Sequence, residues 1–87
     1  ERLIPRYLEI IREDILAIDK ALLEEDFLAL SIKGHNMRGT GAAYGFEEIS
    51  KLGGEIEASA VERDAVKIKA TKDALALHLD SLELEFV

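Results

Sequence analysis

Six apolar residues near the start of the chain fall at alternating steps of four and three: Ile4, Leu8, Ile11, Ile15, Ile18 and Leu22. Only a helix puts such a series on one face, because a strand would need alternation at every second residue. Pro5 falls where a helix tolerates it, in the first turn. Arg12, Glu13 and Lys20 supply the solvated side. The spacing predicts a first helix over residues 5–23. A chain of 87 residues is expected to form one domain, 1–87, and must bury its core with long, well-patterned elements.

The same reading continues along the chain. Glu24-Glu25-Asp26 interrupts the stripe, and Asp26 is a suitable N-cap. Phe27, Leu30, Met37 and Tyr44, with Gly34 and Gly41, then form a second stripe, predicting a helix over 26–44. Met37 and Tyr44 are expected in the core. Phe46, Ile49, Leu52, Ile56 and Ala60 predict a third helix over 46–60, with Glu47 and Glu48 favouring its first turn. Gly53-Gly54 inside it reads as a close helix approach rather than a break. Ser59 to Asp64 reads as a polar connection, with Asp64 as N-cap. Ile68, Leu75, Leu79, Leu82 and Phe86 predict the last helix over 64–85. Four helices with short links give an all-α, antiparallel up-down-up-down four-helix bundle.

The second helix holds more glycine than a helix should. Gly34, Gly39, Gly41 and Gly45 each cost roughly 1 kcal/mol relative to alanine inside a helix. Close packing accounts for Gly34 and Gly41, access to a neighbouring side chain for Gly39, and a positive-φ helix end for Gly45. The side chain in question is His35. His35, Arg38, Gly39 and Ala42 share one helical face at the edge of the buried stripe. An imidazole titrates near neutral pH and so offers a nucleophilic nitrogen, here beside a fixed positive charge with no bulk around it.

Histidine, a cation three residues on, glycine four residues on and glycine ten residues on resemble the signature of the histidine-containing phosphotransfer (HPt) family. That signature reads His-x-x-Lys-Gly with a further Gly six residues later. Here it is His35, Arg38 in the lysine place, Gly39 and Gly45. The resemblance implies that His35 takes a phosphoryl group from a receiver-domain aspartyl phosphate and passes it to another receiver. It implies that Arg38 contacts the phosphoryl oxygens. It also implies that Glu57, at a spacing where the family often carries Glu or Gln, hydrogen-bonds the ring. Ser31, Ile32, Arg38, Gly39 and Ala42 form the expected receiver-binding face. Lys33 and Lys51 read as solvated surface or as charges that steer docking.

The implied partners are response-regulator receiver domains and a histidine kinase, with Mg²⁺ supplied by the receiver and no cofactor of the chain's own. Without a nucleotide-binding motif the chain is expected to be a phosphoryl carrier and not an autonomous enzyme. Two other readings remain: the N-terminal phosphotransfer module of a chemotaxis-type histidine kinase, and a helical interaction module that carries no phosphate. Net charge is −7 with no basic stripe, which argues against nucleic acid and anionic membranes as partners. The absence of cysteine excludes disulfides and thiolate metal sites. His78 has no cation or glycine around it and reads as structural or solvent-facing. No apolar run approaches the roughly 20 residues of a membrane span, so membrane insertion is not expected, and a cytoplasmic monomer is the default.

Overall fold

The computed structural model describes residues 3–86. Four helices make up this span: α1 Leu3–Leu23, α2 Phe27–Ala43, α3 Glu47–Val61 and α4 Ala65–Glu85. Each packs on its two neighbours around the ring, and among the described residues no diagonal pair brings its Cα atoms within 8 Å, which is the pattern of an antiparallel four-helix bundle. The bundle measures 36 × 20 × 16 Å, so the 21-residue helices α1 and α4 run nearly its full length.

The predicted stripes become the core. Ile11, Ile18, Leu30, Met37, Ile49, Ile56, Ile68, Leu75 and Leu79 are all essentially sealed from solvent. Asp26 and Asp64 cap α2 and α4, accepting from the amides of Ala29 at 3.0 Å and Lys67 at 3.1 Å. Phe46 stands at the N-cap of α3 without a capping hydrogen bond. Its ring instead stacks on Tyr7, with centroids 5.6 Å apart, and meets Phe86 edge-on.

All three links share one geometry. α1, α2 and α3 each end in a left-handed residue, Glu25 (φ 54°), Gly45 (φ 83°) and Arg63 (φ 56°). In each, the next amide returns to a carbonyl five residues back: Asp26 to Ala21, Phe46 to Gly41, Asp64 to Ser59. This is the Schellman arrangement, and it reverses the chain in three residues. Glycine fills it only once.

Four expectations are corrected. Tyr44 is 49% exposed, because α2 ends at Ala43 and its ring lies 4.7 Å from that of Tyr7, which is the buried one. Ser59 is not in a linker: it is buried inside α3, which runs unbroken to Val61. Phe86 is 42% exposed and caps the end of α4 instead of filling its stripe. Lys33 is neither free nor fully solvated. Its ammonium lies 3.2 Å from Asp14 across the α1–α2 seam. Burial pushes the Asp14 carboxyl above its ordinary range, and the bond from Lys33 pulls it partly back.

Candidate functional site

The α2–α3 seam is the tightest in the bundle, and glycine makes it so. A methyl group at Gly34 would come within 2.6 Å of Glu57 N, and one at Gly41 within 2.6 Å of Ser50 N. Neither distance is possible between real atoms, so both positions require glycine for the helices to lie this close. Gly53 faces Arg38 N at 2.7 Å in the same way, and α3 passes through Gly53-Gly54 without a break. Ser50 adds a hydrogen bond from its hydroxyl to the Arg38 carbonyl at 2.7 Å.

On this seam Glu57 reaches two groups at once. Its Oε2 lies 3.1 Å from His35 Nδ1, and its Oε1 lies 3.6 Å from Arg38 Nε. The first is a hydrogen bond; the second is an ion pair too long to be one. The His35 side chain is 62% exposed, whereas Glu57 is half-buried beside it at 26%. A carboxylate can only accept, so the Nδ1 contact places the ring proton on Nδ1. In the neutral ring Nε2 then carries the lone pair, and it has no protein partner among the described residues. The stem of Arg38 lies over Gly54, where a methyl group would stand 3.2 Å from Arg38 Cδ.

The structure thus gathers His35, Arg38 and Glu57 into one cluster. Ser31, Ile32, Gly39 and Ala42 lie on the same helix around it: Ser31 is half-buried and the other three are exposed. Nothing lies within 4 Å of the place a side chain on Gly39 would take. Lys51 is exposed, and His78 on α4 is half-buried and shares nothing with the cluster.

Leu28 is the residue that pattern reading missed. Leu28, Ile32, His35, Gly39 and Ala42 follow steps of four, three, four and three, and all five are exposed. α2 therefore carries two small or apolar rows, one in the core and one in solvent. Leu28 is 73% exposed, which a core role does not explain. The helical step from His35 back through Ile32 was the signal that pointed to it.

Among the described residues no three His, Cys, Asp or Glu side chains converge to hold a metal, and no helix is long and apolar enough to cross a membrane. Comparison with protein-family models, curated proteins and solved structures gave no match.

Proposed function

We propose that the chain is a phosphoryl carrier of the histidine-containing phosphotransfer type, with His35 as acceptor. The observation that carries this reading is the 3.1 Å contact from Glu57 to His35 Nδ1 on an otherwise exposed ring. In the neutral ring this contact leaves Nε2 with the free lone pair that a nucleophile requires, on a side chain that is 62% exposed.

The Nε2 lone pair attacks the phosphorus of an aspartyl phosphate on a receiver domain. A P–N bond forms as the bond from phosphorus to the carboxylate oxygen breaks, and that electron pair leaves with the aspartate. The ring becomes a cation that keeps its proton on Nδ1, opposite the Glu57 carboxylate. Arg38, one turn along, turns its guanidinium to the phosphoryl oxygens. Attack by a second receiver's aspartate on the phosphohistidine runs the same steps in reverse. Such transfers depend on positioning and charge stabilisation more than on covalent chemistry by the protein, and Mg²⁺ comes with the receiver. Ser31, Ile32, Gly39 and Ala42, extended by Leu28, form the docking face in this reading. The setting is cytoplasmic, where receivers and their kinases meet.

The test mixes the chain with a receiver bearing labelled phosphoaspartate. The expected result is label on the native chain that is acid-labile and base-stable, and none on His35→Gln. Equal labelling of both would remove the proposal.

A further inference from the structure

Two glycines of the α2–α3 seam lie against the backbone of the site residues themselves. Gly34 directly precedes His35 in the chain. A methyl group there would stand 2.6 Å from Glu57 N, 3.0 Å from Glu57 Cα and 2.7 Å from the Gly53 carbonyl. Gly53 is one turn before Glu57, and a methyl group there would stand 2.7 Å from Arg38 N and 2.9 Å from the Gly34 carbonyl. The contacts are reciprocal: the neighbour of each site residue packs on the backbone of another. All but one of the crowding atoms are backbone, which cannot swing aside as a side-chain tip does.

We infer that Gly34 is a positioning residue for His35, acting through Glu57. By letting the Glu57 backbone lie directly on α2, it sets the reach of the carboxylate to Nδ1 and thereby fixes the ring proton. The consequence for phosphoryl transfer rests on the reading of His35 as acceptor; the effect on the tautomer does not. Glu57 reaches the ring along a short side chain of three torsions, so how far its carboxylate extends is set by where its backbone stands. At 3.1 Å the bond is already at the long side of the normal range, so a helix displaced by the width of a methyl group takes the oxygen out of reach. Gly41 offers the internal comparison. It crowds α3 as closely, at 2.6 Å from Ser50 N, but seven residues from Gly34 and against no member of the cluster.

The experiment records ¹⁵N-histidine spectra of the native chain, Gly34→Ala, Gly41→Ala and Glu57→Ala above the imidazole titration. The native chain shows His35 mainly as the Nδ1–H tautomer. Gly34→Ala shifts it to mainly Nε2–H, matching Glu57→Ala, and slows labelling by a phosphorylated receiver about 10-fold. Gly41→Ala lowers stability without moving the tautomer. A folded Gly34→Ala that keeps Nδ1–H, or a Gly41→Ala that shifts it equally, overturns the inference. Alanine's higher helix propensity favours folding of the variant. If Gly34→Ala does not fold, the native chain is followed under rising pressure. The Gly34 Hα to Glu57 amide cross-peak and the Nδ1–H signal then weaken together. An Nδ1–H tautomer that outlasts the cross-peak overturns the inference equally. A native chain that shows Nδ1–H but accepts no phosphoryl group leaves the inference standing and removes only the carrier role.

Discussion

Arg38 Nε stands 3.6 Å from Glu57 Oε1, close enough to attract and too far to be locked. The arginine is 55% exposed and holds its place by lying over Gly54. A cation in that state can leave its carboxylate for a phosphoryl group without leaving a buried charge behind.

Arg38→Ala is therefore expected to slow transfer from a phosphorylated receiver about 10-fold. That is less than the roughly 100-fold or more seen when a fully desolvated donor is removed. Urea unfolding should move by less than about 0.5 kcal/mol, as for other exposed side chains. Arg38→Lys, which keeps the charge, should recover most of the rate. Unchanged transfer by the alanine variant would make the cation incidental.

The three links make a second, separate prediction. Glu25 holds φ 54° without being glycine, a conformation that costs an L-residue roughly 1–2 kcal/mol. Glu25→Gly relieves this and adds some unfolded-state entropy, for a net gain of about 0.5 kcal/mol in urea unfolding. Arg63 has the same backbone, φ 56°, but its guanidinium lies 4.8 Å from the centre of the Phe27 ring. Losing that cation–π contact, about 0.5–1 kcal/mol at an exposed site, should cancel the benefit of Arg63→Gly. A larger gain at Arg63 than at Glu25 would contradict this.

A third concerns the charged seam between α1 and α4. The Lys72 side chain is only 11% exposed, and its ammonium lies 2.8 Å from Asp19 and 2.9 Å from Asp73. Hydrogen bonds donated to Asp19, then to Asp73, hold the Lys72 ammonium above its ordinary pKa, and the bond accepted from Lys72 holds Asp73 below its own. The raised lysine contributes stability that is full below the ordinary lysine value near 10.5 and is lost as pH rises through the folded value. The lowered carboxylate contributes stability present above about 3.8 and lost as pH falls through its folded value. Lys72→Met keeps the buried stem and removes the charge. The native chain should therefore exceed the variant in urea midpoint between these limits, and the gap should close beyond either. A gap independent of pH would show that packing alone distinguishes them.

Much of the fold is written in spacing. The steps of four and three locate all four helices, and Asp26 and Asp64 announce their caps because a short side-chain oxygen just before an apolar stripe can accept from the free amides there. Gly34, Gly41 and Gly53 signal close contact because nothing else justifies their cost in a helix. The links at Glu25 and Arg63 were invisible for the opposite reason: the left-handed position normally advertises itself with glycine, and here it does not. Pattern on one helix also cannot reveal a partner on another, which is why Lys33 reads as surface and nothing in the spacing singles out Asp14. Tyr44 fits the stripe of α2, but the helix stops before it and Tyr7 fills the interior. At the site, Glu57 is reached only through what the HPt resemblance implies, since on its own it reads as a solvated surface glutamate, whereas Leu28 is hidden by the longer apolar row behind it.

The most direct measurement identifies the phosphorylated atom. After transfer from a phosphorylated receiver, ³¹P–¹⁵N correlation on histidine-labelled chain should show a single P–N bond at Nε2 of His35, with Nδ1 still protonated. Phosphate bonded to Nδ1, phosphate at His78, or no phosphohistidine at all would contradict an imidazole held by Glu57 for attack through its outer nitrogen.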